Sequence, residues 1–141
     1  MKRIASLLLA VAVVSGVVAA RAQTSTPTNE PPAKLIVDSP LPDLLAKGVV
    51  LIPWRVENVQ MGPMVGKDAL NASPRVGHLH IHVDDLPWLW ADMSTNPIDV
   101  ALLPPGQHKI RLELVNAMHQ PVPGQSKTVT FTIPKGASPS P

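Results

Sequence analysis

The stretch Gly77-His78-Leu79-His80-Ile81-His82-Val83-Asp84-Asp85 carries three of the chain's five histidines at every second position. A β-strand sends alternate side chains to opposite faces, so His78, His80 and His82 share one face while Leu79, Ile81 and Val83 share the other. The apolar face can be buried while the opposite face presents a row of imidazoles, the commonest protein ligands for transition metals. Same-face neighbours are about 6.6 Å apart at Cα, so two adjacent ones can lean onto one ion with bonds of about 2.0–2.1 Å. His78 and His82 stand about twice that distance apart, and all three on one ion would strain the strand. The spacing predicts a His-x-His pair, His78 with His80 or His80 with His82, completed from another segment.

The rest of the chain must position that strand. Lys2 and Arg3 precede an apolar run from Leu7 to Ala20, followed by the small-x-small pattern Ala20-Arg21-Ala22. These are the parts of a secretory signal peptide over residues 1–22, expected to be removed and to leave no stable membrane span. Its removal takes Lys2, Arg3 and Arg21 with it, so 12 basic residues against 10 acidic become nine against ten in a mature chain of 119. A near-neutral protein without a basic stripe is not built to bind nucleic acid. The predicted compartment, periplasmic or secreted, permits disulfides, yet the chain has no cysteine, so its stability must come from packing. With no Tyr and one Phe, that core is aliphatic.

Residues 23–33 are polar and proline-rich and read as a flexible tether; residues 135–141 read as a disordered tail. Between them, residues 34–134 form one domain by length. No stretch there carries a convincing helical period, whereas short alternating or β-branched runs are bounded by Pro and Gly. Strands are predicted at 34–37, 48–57, 76–83, 97–103, 107–115 and 126–133, with Pro53 marking an edge or a bulge. The segment Asp85 to Asp92 is expected as a short helical turn or a packed loop, and 116–124 as the loop before the last strand. About seven strands in roughly one hundred residues fit an all-β fold, an immunoglobulin-like antiparallel β-sandwich.

The His-rich strand, Gly77 to Asp84, and the later Leu103-Pro104-Pro105-Gly106-Gln107-His108-Lys109-Ile110-Arg111-Leu112-Glu113-Leu114 resemble a group of small secreted bacterial domains of unknown function. That resemblance implies an immunoglobulin-like fold and a compartment outside the cytoplasm. It implies no established activity.

In an immunoglobulin-like arrangement the loop holding His119 lies at the end where the histidine strand begins, which favours His78, His80 and His119 as the ligand set. Met118 beside His119, with Met61 and Met64 upstream of the strand, suits copper, with zinc second. Met61 and Met64 also have an ordinary role as packing residues. The bland alternative is a strand whose histidines bond to Asp84, Asp85 or the strand opposite and hold no ion, or respond only to pH. His108 shares parity with Ile110, Leu112 and Leu114 and is expected at the rim of the core in a structural role. Trp88 and Trp90 read as a lid on the core or as a platform for a sugar or a cation. Asn71-Ala72-Ser73 matches a glycosylation sequon, a short and common pattern.

The expected function is therefore non-catalytic: a periplasmic or secreted domain that carries or buffers a metal ion. The competing expectation is an interaction module that binds an envelope protein or a glycan. An enzyme of the superoxide dismutase type is disfavoured, because no second histidine cluster with a bridging ligand is recognisable.

Overall fold

Alternation along the sequence becomes alternation of burial. In the computed structural model, which describes residues 29–137, Leu79, Ile81 and Val83 are buried on one side of the histidine strand and Ile110, Leu112 and Leu114 on the same side of its neighbour. The predicted signal segment, residues 23–28 of the predicted tether and residues 138–141 of the predicted tail lie outside the described residues.

The elements in order are β1 (Lys34–Val37), a single helical turn α1 (Pro42–Leu45), β2 (Val50–Ile52), β3 (Trp54–Glu57), β4 (Gln60–Met61), β5 (Val76–Val83), β6 (Leu89–Asp92), β7 (Ile98–Val100), β8 (Gly106–Asn116) and β9 (Pro121–Ile133). A five-stranded sheet runs β4-β5-β8-β9, with β6 on the same edge of β5 as the parallel stub β4. Two antiparallel pairs, β1 with β3 and β2 with β7, supply the opposing layer. Among the described residues no helix is long and apolar enough to cross a membrane.

The fold is an all-β sandwich. Leu35, Val50, Ile52, Trp54 and Ile98 from the paired strands meet Leu79, Ile81, Val83, Ile110, Leu112, Leu114, Phe131 and Ile133 from the larger sheet. Each fully buried aliphatic side chain contributes about 1.5–3 kcal/mol of transfer free energy, and in a chain without cysteine this apolar layer is what holds the sheets together.

Among the described residues nine strands form where about seven were expected. The stretch read as one strand from 48 to 57 divides at Pro53, which lacks a donor for the ladder, so that β2 joins one pair and β3 the other. The segment from Asp85 to Asp92, expected as a helical turn or loop, contains β6, because Trp90 pairs with Ile81 and packs against the core while Leu89 and Ala91 face outward. The last strand starts at Pro121 and not at Ser126, which shortens the preceding loop. Residues 29–33 are tied to the sandwich: Arg75 Nε donates to Glu30 Oε2 at 3.1 Å, Arg75 Nη2 reaches the carbonyls of Glu30 and Pro31, and Asn58 Nδ2 donates to the Pro32 carbonyl.

Candidate metal centre

The outer face of the five-stranded sheet carries the histidine row. On β5, His78, His80 and His82 stand opposite Val115, Glu113 and Arg111 of β8. Gly77, just before the row, is packed so closely that a Cβ there would lie 2.7 Å from the Val115 carbonyl, so position 77 admits no side chain.

His119 comes from the hairpin joining β8 to β9, which is far tighter than the predicted loop over 116–124. The His119 N–H donates to the Asn116 carbonyl at 3.0 Å and the Asn116 N–H to the Gln120 carbonyl at 2.9 Å. His119 has φ of 59°, the arrangement of a β-turn followed by one left-handed residue. The Asn116 side chain secures it: Oδ1 accepts from the Met118 and Gln120 N–H groups at 2.8 and 3.1 Å, and Nδ2 donates to Gln120 Oε1 at 3.0 Å. The Gly66 N–H, from the segment after β4, donates to the Ala117 carbonyl and ties that segment to the hairpin tip. The left-handed conformation costs a non-glycine residue about 1–2 kcal/mol, and such strain gathers at functional positions.

This hairpin folds His119 back over the row. Its Nδ1 lies 3.1 Å from His78 Nε2 and 3.1 Å from His80 Nε2. The rings are 4.6 and 5.3 Å from it centroid to centroid, and 5.2 Å from each other. One ligand atom from each of the three residues falls within 4.8 Å of the other two, close enough to hold one metal ion, and no carboxylate belongs to the group. Two imidazole nitrogens bound tetrahedrally to one ion at about 2.0–2.1 Å sit about 3.3 Å apart, near the observed spacing.

The electrostatics favour neutral imidazoles. His78 is fully buried, and that burial, with His119 and His80 beside it, holds its pKa below the ordinary imidazole value. Burial likewise lowers His80, with His119 adding to the effect and Glu113 opposing it. A neutral imidazole keeps the lone pair that a metal needs. His78 Nδ1, buried on the far side of the ring, has no hydrogen-bond partner among the described residues.

His82 stays outside the trio. Its Nε2 has no hydrogen-bond partner among the described residues and lies 3.9 Å from Glu113 Oε2. Burial and the neighbouring Arg111 lower its pKa against the pull of Glu113. Glu113 in turn accepts from Arg111 Nη1 at 2.9 Å. Asp84 and Asp85, the carboxylates that a purely structural row was expected to use, are engaged elsewhere, Asp84 with His108 at 2.8 Å and Asp85 with Lys109 Nζ at 2.7 Å. Met61 packs against the core, and Met64 and Met118 are exposed.

Sequence reasoning did not single out Glu113, Asn116 or Gln120. An Asn whose side chain can bond two residues onward, four positions before a Gln and five before a Pro, is a turn signal that points to the tight hairpin.

The comparisons with known proteins add a family and nothing on activity. Neither a curated protein nor a solved structure matches the chain. A family model described as a family of unknown function, DUF6130, matches residues 3–140, and the chain belongs to that family.

Proposed function

We propose that this protein is a periplasmic or secreted metal-binding domain, non-catalytic, that carries or buffers copper on His78, His80 and His119. One observation carries the reading. His119 Nδ1 stands 3.1 Å from two other ring nitrogens, and a ring nitrogen has either one proton to give or one in-plane lone pair to receive. Two hydrogen bonds cannot both be good there, whereas a cation accepts all three lone pairs at once.

Copper is favoured over zinc by the donors. An all-nitrogen set binds Cu(II) more tightly than Zn(II) in the general order of divalent affinities, and the exposed Met118, next to His119 in the chain, carries a thioether of the soft kind that Cu(I) prefers. Zinc is the second choice, with three protein ligands and an open fourth position.

The test is a calorimetric titration of the protein, purified without a polyhistidine tag, with Cu(II), Zn(II) and, anaerobically, Cu(I). One-to-one binding that is tighter for copper and lost in His80→Ala is the expected result. Weak binding that the substitution leaves untouched overturns it.

A second reading rests on a different surface. Leu102 is 85% exposed and has φ of 65°, so a large apolar side chain is held in water by a strained backbone. Trp88, Leu86 and Leu89 are exposed too, with Trp88 6.2 Å from Trp90 between ring centroids. Exposed apolar residues of this kind suit an interaction module for an envelope protein or a glycan, the function left standing should the titration fail.

A further inference from the structure

We propose that Glu113, held by Arg111, is the counter-charge of the three-histidine centre and sets its preference between Cu(II) and Cu(I). This rests on reading the trio as a copper centre.

Three neutral imidazoles bring no charge of their own, so an ion entering the site adds its full charge to a partly buried face of the sheet. The ligand group includes no carboxylate. Glu113 is the residue directly across from His80 in the β5–β8 register, and such cross-strand neighbours on one face have their Cβ atoms about 5 Å apart. Its side chain is only 19% exposed, so water and salt screen it poorly. The carboxylate is also fixed in place. Oε1 accepts from Arg111 Nη1 at 2.9 Å, while Oε2, not used by Arg111, faces His82 Nε2 at 3.9 Å.

The consequence is specific to ion charge. A fixed negative charge attracts a divalent ion twice as strongly as a monovalent one at the same place, so the fold-change in affinity on losing it is squared for Cu(II) relative to Cu(I). A residue that merely shapes the sheet would alter both affinities alike.

The experiment measures Cu(I) affinity anaerobically and Cu(II) affinity aerobically, each by competition with a chelator at pH 7.5, for the wild type, Glu113→Gln and Glu113→Asp. Glu113→Gln keeps the shape and the bond from Arg111 and removes the charge. The expected result is a loss of about 5-fold for Cu(I) and about 25-fold for Cu(II), with a higher Cu(II)/Cu(I) reduction potential and most of the Cu(II) affinity restored in Glu113→Asp. Equal losses for the two ions, or none, overturn the role of Glu113 while leaving the centre intact. A wild type that binds neither ion overturns the centre itself, and the counter-charge with it.

Discussion

His78 and His108 are almost equally hidden, at 0% and 8% exposure, yet the protein uses them in opposite ways. Each ring nitrogen of His108 faces an acceptor: Nδ1 lies 2.8 Å from Asp84 Oδ2 and Nε2 2.8 Å from the Pro104 carbonyl. Both nitrogens must therefore donate, which only the imidazolium can do. Burial alone lowers the His108 pKa, but the hydrogen bonds to Asp84 and Pro104 and the Asp84 charge overcome it, and the net direction is upward. His78 meets only other imidazoles, so burial wins and its pKa falls. The partners, and not the burial, make one histidine a bolt between the strand ends and the other a free base.

The comparison breaks most sharply at His119, where ligand chemistry and backbone strain coincide. Replacing a supporting partner of a metal ligand typically costs 10–100-fold in affinity, so removing a ligand in His119→Gly is expected to weaken copper binding by more than about 100-fold. The same change relieves the left-handed conformation at φ of 59°. Glycine gives back part of that gain through the greater freedom of the unfolded chain, which leaves the metal-free variant more stable by up to about 1 kcal/mol. Urea unfolding without metal and a copper titration on the same variant check both halves. A variant that loses stability and keeps its copper would show His119 to be a structural residue like His108.

At His108 the effects reverse. A hydrogen bond to a charged group contributes about 1.5–3 kcal/mol, and His108→Gln is expected to lose about 2 kcal/mol at pH 6 with metal binding unchanged. The pH dependence carries the sign. Because the folded pKa of His108 is raised, its contribution is fully present below the ordinary value of about 6.5 and is lost as pH rises through the folded value. The stability gap between wild type and His108→Gln should therefore narrow from pH 6 to pH 9. His80 has a lowered folded pKa, so its contribution is present above about 6.5 and is lost as pH falls toward the depressed value. For the metal-free protein, the His80→Gln gap should move in the opposite direction to the His108→Gln gap across the same series of urea midpoints.

Part of this contrast is written in residue parity. His78 and His80 alternate with Leu79 and Ile81, and His108 keeps step with Ile110, Leu112 and Leu114, so one set must face out of the core and the other toward it. Period-2 arguments also locate β1, β5 and β8 to within a residue or so of their ends. They fail where local signals conflict. Pro87 and the apolar Leu86 to Trp90 obscured β6, which forms because Ile81 and Trp90 pair across strands that are adjacent in space. The left-handed His119 was hidden because that conformation is usually announced by Gly or Asn, and here it is imposed by the Asn116 bonds around it. Glu113 escaped notice for a different reason: a charged residue at an outward position looks solvated until the register sets it beside a histidine.

The smallest expected effect separates two adjacent carboxylates. Asp84 accepts from buried His108 and, through Oδ1, from the Lys109 N–H at 2.9 Å, and its pKa falls because these bonds, with the His108 and Lys109 charges, outweigh the cost of burial. Asp85 makes the shorter contact, 2.7 Å to Lys109 Nζ, but its side chain is 91% exposed. An exposed ion pair gains little in water whatever its length, so Asp85→Asn should shift stability by less than about 0.5 kcal/mol. Asp84→Asn keeps an acceptor oxygen but loses the charge that holds His108 protonated; at 35% side-chain exposure, solvent screening limits the cost to about 1 kcal/mol. Thermal melts of the two variants at pH 6 test the ordering. Equal losses would mean that distance, and not the buried partner, sets the strength of a carboxylate's hold, and the reason for treating His108 as a bolt would fall with it.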